Sequence, residues 1–360
     1  MGTDGEGVKV YNSRTNEITD AQFSNSCFDV TNAKVHSLLK DYAGNFWLAI
    51  YQKGVVMIPT VQNGFKYIGS KDMNSNIIGS YCVTSLLRDH NNDLWVSTDN
   101  DGIYVITPEL EQKEHFVHEN TSSSVPAIII TLYEDSEHNL WFGSFTNGMG
   151  KIDRNTGRCT YLDNLVDANG KHVQRVYAFA EDNRKRLWIA TMGAGLLCHD
   201  LKSGKTEQVT PPDSYLWLSS VLYSKDNKLY IGGYDGLICV DLNTSPFNIS
   251  YISPKVIVHC LHQDKEGVIW AGTSEGIYNY SPQTDKLTLY TAQDGLPSDV
   301  VYAVQEDNQG FLWISTDAGI SQFNKHNHKF INYYVSDGLQ GNESVSYTHL
   351  RAHETSAHLV

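Results

Sequence analysis

The chain lacks the usual signatures of several protein classes. No run of about 18 apolar residues occurs, so no segment reads as a membrane-spanning helix. The longest apolar runs, such as Ala127–Ile130, are only strand-sized. The opening residues Met1-Gly2-Thr3-Asp4-Gly5 have neither a basic region nor an apolar core, so no signal peptide is expected there. Cations are scarce: 27 Lys and Arg stand against 41 Asp and Glu, a formal charge of −14. That balance argues against a nucleic-acid or anionic-lipid surface, either of which needs clustered positive charge. Six cysteines (Cys27, Cys82, Cys159, Cys198, Cys239, Cys260) lie far apart with no CxxC pair. They suggest neither a zinc site nor a dense disulfide scaffold, and Cys198 and Cys239 are expected to pack as small apolar side chains. No nucleophile elbow, phosphate loop or H-E-x-x-H occurs. His326-x-His328 has metal-like spacing but no third ligand nearby in sequence, so no metal and no cofactor is expected.

What the chain does have is a repeat. An aromatic anchor preceded by an apolar residue recurs at Trp47, Trp95, Trp141, Trp188, Tyr230, Trp270 and Trp313, at intervals of 48, 46, 47, 42, 40 and 43 residues. An Asp stands six positions before six of these anchors: Asp41, Asp89, Asp135, Asp182, Asp264 and Asp307. In the Tyr230 unit Asp226 lies only four before, which reads as a turn shortened by two residues. A glycine follows each anchor by six or seven positions, from Gly54 to Gly319. The segment from Thr3 to Tyr11 matches the half of a unit that follows the anchor, so residues 1–30 read as a partial blade.

Each unit resolves into four short strands. In the last, Val300–Val304 is a continuous apolar run suited to a strand buried on both faces. Asp307-Asn308-Gln309-Gly310 is turn chemistry, and Phe311–Ser315 carries the anchor. Gly319–Phe323 and the alternating Lys329–Tyr333 complete the set. Four strands in roughly 44 residues, repeated about seven times, predict an all-β fold, a seven-bladed β-propeller of four-stranded antiparallel blades over residues 31–343. A second register, in which residues 1–60 finish one propeller and the rest forms most of another, fits the same spacing.

The units resemble the two-component regulator propeller repeat, D-x-x-G-x-L-W-I-G-T-x-x-G-G-L. The closest copies are DNRKRLWIATMGAGL at Asp182–Leu196, DNQGFLWISTDAGI at Asp307–Ile320 and DHNNDLWVSTDNDGI at Asp89–Ile103. Asp294–Val300 resembles that family's D-G-L-P-S lead-in, and Asp337–Glu343 its D-G-L-Q-G-N-E segment. The resemblance implies part of the periplasmic sensor region of a hybrid two-component histidine kinase. It implies an adjacent propeller and a β-sandwich as neighbours, signalling as a homodimer, and oligosaccharide ligands that control glycan-utilisation genes. Kinase, receiver and DNA-binding parts have no counterpart in these residues, so neither enzymatic activity nor nucleic-acid binding is expected here. Residues 344–360 depart from the repeat and resemble read-through peptides of truncated reading frames; they are expected to be a poorly ordered, non-native tail.

Propeller geometry gathers two sets of loops on one face: those leading into each innermost strand, and those joining second and third strands. The candidate ligand residues there are Tyr81, His172, Gln174, Arg175, Tyr215, Trp217 and Lys255 from the first set, and Tyr51, Phe145 and Tyr234, with Asp99 and Glu275, from the second. Trp217 is the one tryptophan outside the anchor position, and a flat aromatic beside polar forks suits a sugar ring. Capping of the blade core is the competing explanation for Trp217 and Tyr215, and a surface ion pair for Arg175. Two other function classes compete with a sensor. A protein-interaction propeller predicts a large apolar patch, and a propeller lyase or hydrolase predicts acidic pairs about 5–10 Å apart.

Overall fold

The computed structural model of the protein describes residues 1–21, 30–42, 45–58, 65, 68, 77–79, 81–119, 121–210, 217–339, 341 and 349–352. The described residues are all-β apart from two short 3-10 turns, and the chain divides into two compact units, one built on Met1–Ser80 and the other on Tyr81–Val335.

The second unit contains six four-stranded antiparallel meanders, each named here by its anchor. The Trp141 blade runs Ile129–Glu134, Leu140–Ser144, Met149–Ile152 and Cys159–Tyr161. The Trp188 blade runs Val176–Glu181, Arg186–Thr191, Leu196–Asp200 and Thr206–Gln208, and the Tyr230 blade Leu218–Tyr223, Lys228–Gly233, Gly236–Asp241 and Asn248–Tyr251. The Trp95, Trp270 and Trp313 blades begin at Val83–Arg88, Val258–Gln263 and Val301–Glu306 and follow the same plan. In the first unit a hairpin (Lys9–Asn12, Glu17–Asp20) accompanies a three-stranded sheet, Val35–Lys40, Phe46–Ile50 and Gly54–Ile58. Val8, Val30, Ala33, Val35, Leu48 and Ile50 close a common core there.

The core of the second unit is a series of clusters, each shared by two consecutive blades. Trp188 and its blade-mates Ala178, Ala190 and Leu196 pack on Leu218, Val221, Leu229 and Ile231 of the next blade. Trp95 meets Ile129, Leu132 and Phe142 in the same way, and Trp270 meets Val301, Leu312 and Phe323. Trp141, Trp188 and Tyr230 are essentially inaccessible. Enclosing a ring of that size removes some 150–250 Å² from water, roughly 4–6 kcal/mol at most. Blade-to-blade burial is therefore what the repeat stores in its anchor.

The aspartate before each anchor does two jobs. Asp135 Oδ1 accepts the backbone N–H groups of Glu137 and Asn139 at 3.0 and 2.8 Å, closing the turn, while Oδ2 accepts Trp141 Nε1 at 2.9 Å. The 2.9 Å indole bond recurs at Asp41, Asp89, Asp182, Asp264 and Asp307. One carboxylate thus satisfies a tight turn and the indole N–H of a buried Trp together.

The Tyr230 turn corrects the expectation from sequence. It is not shortened. Ser224, six residues before Tyr230, occupies the aspartate position, with its N–H on Lys228 O at 2.9 Å and Asn227 in the left-handed position at φ 57°. Ser224 Oγ accepts the Lys228 N–H at 3.3 Å but is too short to reach the ring. The ring is correspondingly a Tyr, whose enclosed hydroxyl makes no conventional hydrogen bond and lies near the Cys239 thiol. Asp226 instead takes the Ser224 hydroxyl.

Four residues of the segment 344–360 that follows the last blade are described. His349–Ala352 forms a strand paired in parallel with Ser85–Arg88, the free edge of an innermost strand, and packs beside Val301–Glu306. Unpaired main-chain groups on a sheet edge accept any extended segment, whatever its side-chain pattern. The remainder of residues 344–360 lies outside the described residues.

Candidate functional site

Two loop faces bound the second unit. On the rim face, in five of the six blades, the residue after the second strand donates its N–H to the residue before the innermost strand. Asp99 bonds Cys82 O at 2.9 Å, Phe145 Ile128 O at 3.2 Å, Met192 Arg175 O at 3.1 Å, Tyr234 Trp217 O at 3.1 Å and Ser274 Ile257 O at 3.0 Å. The two loop sets therefore interlock on one face. A bulge follows immediately: the register slips at the second residue of every innermost strand, at His36, Thr84, Ile130, Tyr177, Ser219, His259 and Tyr302. Such slips re-aim a side chain and end regular pairing.

Main-chain bridges Asp99–Ile128 and Met192–Trp217 link the rim from one blade to the next. Along this arc the Arg175 guanidinium lies 4.8 Å over the Phe145 ring. The Trp217 and Tyr234 rings meet edge to face at 5.2 Å and 86°, and are 42% and 43% exposed. Half-exposed rings in a fixed edge-to-face pair present both an apolar plane and a polar hydroxyl. Lys255 pairs with Asp235 at 2.8 Å just beyond. Phe145, Arg175, Trp217, Tyr234 and Lys255 thus share one arc across three blades and the lead-in to a fourth. His172 and Gln174 are exposed in the loop before Arg175, and Gln174 O accepts Gly148 N–H at 2.8 Å. Tyr81 is exposed beside Cys82, and Glu275 is exposed in the Trp270 blade. Tyr51 belongs to the first unit, where it stacks on His36 at 5.0 Å. Tyr215 lies outside the described residues.

Met192, which joins the Arg175 and Trp217 lead-ins through its backbone, was not singled out from sequence. No composition signal marks a residue that acts through its main chain.

The opposite face carries the aspartate turns, stitched from blade to blade by a glutamate at the end of the following innermost strand. Glu134 accepts His90 N–H at 2.9 Å, Glu181 accepts Ser136 N–H at 2.6 Å and Glu306 accepts Lys265 N–H at 2.8 Å. Two of these carboxylates also hold largely enclosed cations. Arg154 spans Asp89 and Glu134, each at 2.6 Å, and Lys325 spans Asp264 at 3.1 Å and Glu306 at 2.8 Å. The sequence sign was the Glu-Asp dipeptide at 134–135, 181–182 and 306–307. A cavity of about 640 Å³ opens on this face among Arg88, His90, Glu134, His138, Glu181 and Lys185.

The buried thiols and one buried imidazole favour their neutral forms. Burial raises the Cys159, Cys198 and Cys260 thiols to about 12 and Cys239 to about 11, so these are packing groups rather than nucleophiles. Burial lowers His262 to about 4, and its Nε2 is enclosed without a hydrogen-bond partner.

Comparison with known proteins follows this geometry. The family described as two component regulator propeller matches residues 77–100, 170–193, 252–275 and 295–318. Each segment spans a rim lead-in, an innermost strand and an Asp–Trp hairpin. A histidine kinase of Formosa agariphila is 23% identical over 300 residues, 77% of this chain and 22% of that protein. The solved extracellular domain of a hybrid two component system from B. thetaiotaomicron aligns with TM-score 0.75 and 21% identity, over 98% of this chain and 47% of that one. Virginiamycin B lyase from Staphylococcus aureus shares the fold at TM-score 0.55 and 13% identity, over 70% of this chain and 83% of that one. The chain spans about a fifth of the kinase and about half of the sensor domain it matches. The chain therefore has a β-propeller-type fold, and four of its segments, each carrying the anchor, turn and strand geometry described above, match the two component regulator propeller repeat.

Proposed function

We propose that this chain is the ligand-sensing propeller region of a hybrid two-component signalling protein. In this reading it lies on the periplasmic side of the inner membrane and takes an oligosaccharide on the rim arc of Phe145, Arg175, Trp217 and Tyr234. Binding there biases a kinase carried by another part of the full-length protein and so regulates glycan-utilisation genes. The observation that carries the reading is the half-exposed Trp217–Tyr234 pair on the same arc as the Arg175 guanidinium, which lies over Phe145. Two half-exposed rings offer stacking planes for the C–H faces of a sugar, and the guanidinium supplies directed donors for its hydroxyls or carboxylates. The relatives support the signalling context: one is named a histidine kinase and another is the extracellular domain of a hybrid two component system.

The test is calorimetric titration of the protein with a panel of neutral and uronate-containing oligosaccharides, repeated on Trp217→Ala. Saturable binding by one glycan, weakened at least tenfold by the substitution, is the expected result. Equal binding by the variant would remove the rim arc from the site. No binding by any glycan would turn the reading toward a protein ligand.

A further inference from the structure

We propose that His90, Glu134 and His138 form a binding site for a divalent transition metal such as zinc, on the turn face of the Trp95 and Trp141 blades. The three side chains come from different places in the repeat. His90 follows the turn aspartate of one blade, and Glu134 ends the innermost strand of the next. His138 sits at the fourth turn position with φ 63°, where glycine or asparagine stands in most other blades. A left-handed histidine there sends its ring back over the glutamate.

The His90 Nδ1 and His138 Nδ1 atoms lie 2.5 and 3.5 Å from the same carboxylate oxygen, Glu134 Oε1. The two rings overlap at 4.1 Å between centroids, and the three donor atoms lie within 4.8 Å of one another. Ligand atoms bonded to zinc at about 2.0–2.2 Å stand roughly 3.4 Å apart in a tetrahedron. Side-chain rotations of about 1 Å would therefore bring this set to coordination distance. Two imidazoles with one carboxylate is a donor set suited to zinc or a neighbouring first-row ion.

Supporting contacts fix the carboxylate. Its other oxygen accepts the His90 N–H at 2.9 Å, and Arg154 holds Oε1 at 2.6 Å. The guanidinium competes with a cation for that oxygen, but its second arm is neutralised by Asp89 at 2.6 Å, and a carboxylate oxygen has more than one lone pair to offer. Both histidines are exposed to the cavity of about 640 Å³, so water or a ligand group can complete the coordination shell. This site stands on the face opposite the rim arc and is independent of the reading proposed for it.

The experiment uses the whole chain, stripped with chelator and titrated with Co²⁺ while visible absorption is followed, then with Zn²⁺ by calorimetry. The expected result is one equivalent of Co²⁺ giving a tetrahedral d–d band that Zn²⁺ displaces. His90→Gln and His138→Gln should each weaken binding at least tenfold, with the far-ultraviolet spectrum and metal-free melting point unchanged. Absence of the band at millimolar Co²⁺ would overturn the proposal. So would undiminished binding in the double variant, which would place the metal on other histidines.

Discussion

The two faces of the second unit differ in how much the repeat dictates. On the turn face the same contacts recur in blade after blade: aspartate to turn and indole, and at three junctions glutamate to the neighbouring turn. On the rim face the backbone bonds recur while the side chains at equivalent positions change from Cys82 to Ile128, Arg175, Trp217 and Ile257. A fold that repeats its main-chain scaffold and varies the side chains displayed on it separates stability from recognition. The turn face holds the blades together, and the rim face is where specificity can be written.

Substitutions can break that division, and the largest effect is expected at Lys325. Its side chain is only 8% exposed, and the ammonium sits between the enclosed carboxylates of Asp264 and Glu306. Lys325→Met leaves two carboxylates without their cation and should lower stability by about 3–5 kcal/mol in urea unfolding, without changing ligand affinity at the rim. A loss below about 1 kcal/mol would mean these ion pairs are incidental.

A smaller, pH-dependent effect is expected at His262, which Asp264, Lys265, Glu306 and Lys325 surround. Burial holds its folded pKa at about 4, against an ordinary 6.5. Between those values the unfolded chain takes the proton and the folded chain does not, so His262 costs stability as pH falls from 6.5 to 4. His262→Gln should flatten that part of the stability profile by about 2–3 kcal/mol relative to the parent chain. Parallel profiles across the window would show that His262 titrates normally.

The smallest effect sharpens the account of the odd blade. Ser224→Asp with Tyr230→Trp should rebuild the turn-to-indole bond, so the double variant should be more stable than the two single effects sum to, by about 1 kcal/mol. Strict additivity would show that Ser224 is not the aspartate equivalent.

Much of the framework was readable from sequence because its signals are local. Trp141, Asp135 and Gly148 lie within one hairpin and its exit, so spacing alone brings them into register. Ser224 carries no such signal because the substitution is coupled: with Tyr230 in the anchor place there is no indole N–H to require an aspartate, and Asp226 stands two residues away. The glutamate clamps, the His90–Glu134 contact among them, join residues more than 40 positions apart, and only the blade-to-blade stacking brings them together. The rim residues were legible as unusual side chains in predicted loops. Their union into one arc was not, since it depends on main-chain bridges such as Met192–Trp217. The parallel strand His349–Ala352 carries no repeat signal at all and pairs through its backbone.

The most direct test of the division between faces is a paired set of thermal melts with and without a saturating oligosaccharide, on the parent chain, Trp217→Ala and Asp135→Ala. Preferential binding to the folded state should raise the parent's melting point by several degrees. The account predicts that Trp217→Ala melts like the parent when unliganded but loses the ligand shift. Asp135→Ala, deprived of a buried turn and indole acceptor, should melt well below the parent and keep the shift. The reverse pattern, a Trp217→Ala protein that unfolds early or an Asp135→Ala protein that no longer responds to ligand, would contradict it.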